Sequence, residues 1–172
     1  ADPTRVGISW ITDAGDGSLN AKLYYREAGA SDWVISPVNE VYTADIANNR
    51  GSVVSYSTNI AGLKPDTAYE YYVLTSDGTK EYSTETKSFT TLPGGEDFSF
   101  VVVSDLQSTT AEGYDPFLYT MESFVADALG GTDFVVNLGD LTEDGSSLPQ
   151  WRYMFTTLGD YYATNLTAFV PG

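Results

Sequence analysis

The period of the hydrophobic pattern changes once along the chain, and this change limits the possible folds more than any other feature. Before residue 91, apolar and polar residues alternate, as in AYEYYVL at 68–74, which is the pattern of strands with one buried face. After residue 97, apolar residues run continuously, as in FSFVVVSD at 98–105, which is typical of parallel strands buried on both faces. TLPGGED at 91–97 combines Pro with paired Gly, so a domain boundary is predicted there.

The first region, residues 1–94, contains about seven short alternating segments separated by turn sequences, which is the pattern of a β-sandwich. Within it, LKPDTAY at 63–69 has the spacing of a tyrosine corner, in which the Tyr69 hydroxyl returns to the backbone near Leu63. The segment resembles a fibronectin type III domain. We therefore predict an all-β, fibronectin type III-like sandwich over residues 1–94.

The second region, residues 95–172, is predicted to have the order β-α-β-α-β. Its strands are expected at 98–105, 133–140 and 166–172, with helices at 115–131 and 148–163. The first helix should stop at Gly130-Gly131. Its buried face is predicted to carry Phe117, Leu118, Met121, Phe124, Val125, Ala128 and Leu129. This order implies parallel strands sandwiched between helices.

The amino-acid composition excludes several catalytic mechanisms. The chain has neither His nor Cys, which excludes Ser-His-Asp and Cys-His catalysis and leaves carboxylates, amides and hydroxyls.

The net charge is −16, and residues 95–172 hold 12 acidic residues against one base, Arg152, so no nucleic-acid binding by surface charge is expected. No apolar run approaches the roughly 18 residues of a membrane span. An acidic, Cys-free chain that starts without Met is expected to be secreted, extracellular or at the cell surface.

Two aspartates end the two buried strands. Asp105 closes the first and Asp140 the second, and if the strands are neighbours both carboxylates lie in the crevice at their carboxyl ends. Alternatively, both residues only cap turns, a common role of Asp. An EF-hand is disfavoured because its position 12, counted from Asp140, is Trp151, where a bidentate Glu is needed.

VVSDLQ at 102–107, NLGDLTEDG at 137–145 and the terminal AFVPG resemble the opening of a calcineurin-like metallophosphoesterase domain. With a fibronectin-like domain before it, the chain is similar to purple acid phosphatases. The resemblance implies that Asp105 binds one metal and that Asp140 bridges two. Gln107 stands where many relatives have a His ligand, and it is a candidate third ligand or a group that positions water. Glu143 stands in place of an iron-binding Tyr, so a purple Fe(III)-tyrosinate site is not expected.

The resemblance implies two divalent or trivalent metal ions in the intact protein, and the residues do not rank Fe, Mn and Zn. It further implies a phosphate-ester substrate. We expect this chain to be the N-terminal portion of an exported phosphoesterase, with an incomplete catalytic domain at 95–172. By itself it should be inactive and hold no metal stably, and the open edge of its sheet offers a route to self-association. The alternative is a non-catalytic cell-surface or adhesion module built on the fibronectin-like domain.

Overall fold

The computed structural model describes residues 2–14, 20–38, 40–45, 52–128 and 131–170. The chain divides into two compact units, Ala1–Thr91 and Leu92–Gly172. Residues 129, 130, 171 and 172, which the predictions above include, lie outside the described residues. None of the helices in the described ranges combines the length and the apolar character needed to cross a membrane.

The described residues of the first unit form eight strands, where about seven were predicted. They are Arg5–Ala14 (β1), Asn20–Glu27 (β2), Val34–Ser36 (β3), Glu40–Asp45 (β4), Ser52–Ala61 (β5), Ala68–Ser76 (β6), Glu81–Ser83 (β7) and Lys87–Thr90 (β8). The extra strand arises because β3 and β7 are only three residues each, too short to show a clear alternation.

These strands form two antiparallel sheets. One has the order β1-β5-β4, and the other has the order β3-β2-β6-β7 with β8 also paired to β6. Burial alternates strictly along β6, so one face of this strand is buried and the other is mostly half-buried. The buried hydroxyls of Ser36 on β3 and Thr58 on β5 lie 2.9 Å apart, which gives the two sheets a direct polar contact.

The predicted tyrosine corner is confirmed. The backbone N–H of Lys64 donates to the Tyr69 hydroxyl oxygen at 3.0 Å, one residue from the predicted position. The buried Thr91 hydroxyl donates to the Lys64 carbonyl at 2.6 Å, and the ring of Tyr69 stacks on Phe89. The backbone N–H and carbonyl of Lys64 thus hold the turn before β6 against Tyr69 and against Thr91 at the end of the unit.

In the second unit, the residues that the structure describes form a parallel sheet of three short strands and two helical segments. The strands are Phe100–Val103 (β9), Phe134–Asn137 (β10) and Thr167–Phe169 (β11), in the order β11-β10-β9. The first helical segment begins as a 3₁₀ turn at Glu112–Tyr114, continues as α1 at Asp115–Tyr119 and ends as a π-helix at Thr120–Ala128. The second is α2, Leu148–Thr164.

Both helical segments pack on the same face of this sheet. Their core residues Tyr114, Met121 and Leu158 surround Val135 of β10, which is fully buried. Both crossovers run in the same direction across the sheet, so right-handed connections place both helices on one side. The prediction of strands sandwiched between helices is therefore wrong for the described chain. Three residues of the other face, Phe98, Phe100 and Val102, are 59%, 51% and 51% exposed.

The π-helical winding also changes the predicted face of the first helix. Phe117, Met121 and Val125 are buried as expected, but Phe124 is 57% exposed. A π-helix closes i→i+5 hydrogen bonds, so each turn holds more residues and a residue three positions after Met121 is carried away from the sheet. The side chains of residues 128 and 129 lie outside the described part.

Candidate metal centre

The residues predicted as ligands follow two neighbouring strands. In the register of β9 and β10, Val103 lies opposite Asn137, and the N–H of Leu138 donates to the Val103 carbonyl at 2.9 Å. Asp105 comes two residues after this pair on one strand, and Asp140 comes three residues after it on the other. Both aspartates therefore leave the sheet at its carboxyl end, where open α/β sheets bind ligands.

Both aspartates adopt a left-handed backbone. The φ angle is 57° at Asp105 and 51° at Asp140, and Gly139 directly before Asp140 has a φ of 106°. For a residue with a Cβ this conformation costs about 1–2 kcal/mol, and Asp and Asn tolerate it best. Asp66, in the turn before β6, shares it with a φ of 47°, so the conformation by itself does not define a functional site.

The two side chains are not used to hold the loops together. Both residues are exposed, and in the described ranges no hydrogen bond or ion pair reaches either carboxylate. Nearby, Asp144 accepts hydrogen bonds from the N–H and hydroxyl of Ser146 at 2.9 and 2.7 Å, which lower the pKa of its carboxyl group. Asp144 thus fixes its own loop, whereas the carboxylates of Asp105 and Asp140 remain available.

Gln107 has an amide oxygen without a partner. Its Oε1 atom is buried and makes no hydrogen bond. A buried acceptor left unpaired costs about 1–3 kcal/mol, so a donor or a cation at this position would remove a penalty that the fold otherwise carries. Trp10 Nε1 and Thr12 Oγ1 in the first unit are buried and unpaired as well, so an unpaired atom by itself does not define a metal ligand.

The donor atoms suit a hard cation. Carboxylate and amide oxygens are preferred by Mg²⁺, Ca²⁺ and Mn²⁺. However, the described residues bring no three or more His, Cys, Asp or Glu side chains together as a metal site. The assignment of Asp105, Gln107 and Asp140 as ligands therefore stays a prediction, and these three side chains alone are too few donors to close a metal site.

Asn137 supports the turn before Asp140. It is fully buried at the end of β10, and its Oδ1 accepts the N–H of Gly139 at 3.0 Å. Its Nδ2 donates to the Tyr162 hydroxyl at 3.3 Å. Burial raises the pKa of Tyr162 to about 12, so this hydroxyl keeps its proton and its neutral oxygen accepts at ordinary pH.

Tyr114 connects the two loops. It is fully buried, and its hydroxyl donates to the carbonyl of Leu141 at 2.8 Å, with the carbonyl of Ser108 at 3.2 Å as a second, longer acceptor. Burial, and the negative charge of Glu143, raise the pKa of Tyr114, while the contact with the Ser108 backbone opposes that rise. The hydroxyl is therefore a proton donor between the two strand ends.

The roles of Asn137 and Tyr114 and the unpaired oxygen of Gln107 were not predicted from the sequence. A polar residue inside the apolar run FVVNL is a usable signal for Asn137. No comparable signal exists for Tyr114, because the carbonyl of Leu141 that it contacts is 27 residues away along the chain.

The chain matches one family model and is similar to solved structures. Residues 1–91 match the family model for the purple acid phosphatase N-terminal domain. The chain is similar to the structure of purple acid phosphatase PPD1 from yellow lupin (Lupinus luteus) seeds, with 16% identity and a TM-score of 0.77 over 99% of this chain and 33% of that one. The chain thus spans a third of the lupin protein's length, and at this identity the likeness shows the fold alone.

A second solved structure is much less similar. Astrotactin-2, a vertebrate perforin-like membrane protein, aligns with 71% of this chain and 23% of its own at 16% identity, with a TM-score of only 0.36. A search of curated proteins found no match.

Proposed function

The chain belongs to the purple acid phosphatase N-terminal domain family through residues 1–91, and from this premise we propose that it forms part of a binuclear-metal phosphoesterase. The first unit would be a fibronectin type III-like sandwich, and residues 95–172 the first portion of the catalytic domain. The whole protein would be exported and hydrolyse phosphate esters. Its two ions would be Fe, Mn or Zn.

In this proposal, Asp105, Gln107 and Asp140 are metal ligands and none of them is an acid or a base. Asp105 would hold one ion, and Asp140 would offer its two oxygens to both. The Oε1 atom of Gln107 would complete its missing interaction at the same edge. When bound, a metal pair supplies an activated water and withdraws charge from the phosphate oxygens. The chain's own contribution is to fix these oxygens on a rigid sheet edge.

The observation that carries the proposal is the unpaired, buried Oε1 of Gln107 at the edge where Asp105 and Asp140 leave the sheet. Capped turns account for the two aspartates, since Asp66 adopts the same backbone in the first unit. They do not account for a buried amide oxygen with no donor, which a fold normally avoids. A cation at this edge accounts for all three residues.

Mn²⁺ binding to the chain tests the proposal without relying on activity. We expect paramagnetic broadening of amide NMR signals centred on residues 105–107 and 139–141, with a dissociation constant on the order of 1 mM, the weak end for oxygen ligands. Asp140→Asn and Asp105→Asn should each remove this local broadening, because one oxygen ligand of few is lost.

Asp144→Asn is the matched control, because it neutralises an acid of the same loop whose Oδ1 is already occupied by Ser146. It should leave the broadening in place. Broadening spread evenly over the acidic surface, or equally sensitive to all three substitutions, would mean that Mn²⁺ only follows the net charge, and the metal centre would be refuted.

A further inference from the structure

We propose that Tyr114 is a positioning residue that sets the spacing between the two ligand-bearing loops. The loops are residues 104–111, which carry Asp105 and Gln107, and residues 138–144, which carry Asp140. The inference rests on the function proposed above for the identity of the ligands. The connection between the loops rests on contacts that do not depend on it.

The Tyr114 hydroxyl reaches both loops next to the proposed ligands. Leu141, whose carbonyl accepts at 2.8 Å, directly follows Asp140, and Ser108, whose carbonyl lies at 3.2 Å, directly follows Gln107. One phenol proton is thus shared between two carbonyls in a three-centre hydrogen bond. Beyond the pairing of β9 with β10, the described residues provide no other hydrogen bond between the two loops.

The ring of Tyr114 has no freedom to follow a moving loop. It is fully buried and belongs to the core with Phe117, Met121 and Leu158. A displacement of either loop therefore lengthens the hydrogen bond, since the donor cannot move with it. A buried hydroxyl that lost both carbonyls would be unpaired, which adds a cost to every such displacement.

The loop after β9 is packed tightly against the turn that carries Tyr114. A Cβ on Gly113 would lie 1.8 Å from the Ser108 Oγ, so only glycine allows this approach. The hydroxyl of Thr157 on α2 donates to the carbonyl of Ala111 at 3.0 Å, which holds the end of the same loop against the helix. The position of Ser108 relative to Tyr114 is therefore set from two directions.

Tyr114→Phe in the full 172-residue chain tests the inference, because it keeps the buried ring and removes only the hydroxyl. In the metal-free protein, we expect amide hydrogen exchange in both loops to become about fivefold faster, the factor that corresponds to one neutral hydrogen bond. In the Mn²⁺ titration, we expect the dissociation constant to rise by about the same factor.

Tyr161→Phe is the matched control. Tyr161 is a buried tyrosine of the same core, its ring packs edge-on against Phe117, and its hydroxyl makes no hydrogen bond in the described chain. This variant should leave exchange in both loops and Mn²⁺ affinity at wild-type values, even if the core is slightly destabilised.

The outcomes separate the two proposals. Unchanged exchange in both loops of metal-free Tyr114→Phe, or faster exchange in only one of them, would overturn the positioning role whatever the wild type binds. Faster exchange in both loops supports the connection. A wild-type chain without an Asp140-dependent Mn²⁺ response would instead refute the metal centre, and the exchange data would still decide the connection.

Discussion

The two ends of the parallel sheet use aspartate in opposite ways. At the amino end, Asp133 accepts hydrogen bonds from the N–H and hydroxyl of Ser99 at 2.5 and 3.0 Å, and its own N–H donates to the Ser99 carbonyl at 3.1 Å. At the carboxyl end, no described residue bonds to the carboxylates of Asp105 or Asp140. At the amino end, the carboxylate hydrogen-bonds to Ser99 and so links the start of β9 to the start of β10. At the carboxyl end, the two carboxylates make no hydrogen bond to described residues.

The difference is not that the carboxyl end is loosely built. Its loops are held by the Tyr114 hydroxyl, by Asn137 and by the close approach of Ser108 to Gly113. These contacts use backbone groups, a phenol and an amide, so the carboxylates take no part in them. A rigid support with unused oxygens is what a preorganised ion site requires, because ordering the ligands beforehand lowers the cost of binding.

Gly113→Ala should have the largest effect and tests whether the carboxyl end is rigid. The added Cβ would meet the Ser108 side chain at 1.8 Å from Oγ and 2.6 Å from Cβ, so the loop must shift. We expect a loss of about 2–3 kcal/mol in the free energy of unfolding, measured in urea by fluorescence of Trp151. Gly159→Ala, where a Cβ meets nothing within 4 Å, should instead stabilise α2 by about 0.5–1 kcal/mol. Equal responses would show that the loop yields freely.

Asp133→Ala should have an intermediate effect and tests the amino end. It removes two hydrogen bonds to a carboxylate at an exposed position, for which we expect a loss of about 1–2 kcal/mol by the same unfolding measurement. Asp127→Ala, which removes an exposed acid without a hydrogen bond in the described chain, should stay within about 0.5 kcal/mol of wild type. If both variants unfold alike, the carboxylate of Asp133 contributes nothing to the sheet.

Asp105→Asn and Asp140→Asn should have the smallest effects, with the opposite sign. Asn tolerates the left-handed backbone as well as Asp does, and each change removes one negative charge from a region with 12 acidic residues and one base. We expect each variant to be more stable than wild type by about 0.5 kcal/mol or less at low salt. A loss of 1 kcal/mol or more would mean that these carboxylates are structural, and the contrast between the two ends would disappear.

The sequence predicted the features that depend on local pattern. Alternation and continuous apolar runs separate the antiparallel strands from the parallel strands that precede Asp105 and Asp140. The spacing of LKPDTAY predicts the contact between Tyr69 and the backbone next to Leu63. These features could be predicted because the groups involved lie within a few residues of one another. The assignment of Asp105, Gln107 and Asp140 as ligands stays a prediction.

The remaining features depend on packing between distant segments. The exposure of Phe124 follows from a π-helical winding that the residue pattern does not predict. The face with Phe98 and Phe100 is exposed because both helices pack on the opposite face of the sheet. Similarly, the role of Tyr114 depends on a carbonyl 27 residues away. Periodicity shows only whether a position is apolar. It does not identify the residue that packs against that position.

The open face also affects how the second unit behaves in solution. The rings of Phe98, Phe100 and Phe134 lie against one another with centroids 5.3–6.1 Å apart, and only Phe100 and Phe134 are stacked. The surrounding chain is strongly acidic. At 0.01 M salt the charge repels other copies over about 30 Å, and at 1 M over only about 3 Å. Raising the ionic strength shortens the range of this repulsion, so we expect the aromatic face to control the colloidal stability of the second unit at high salt.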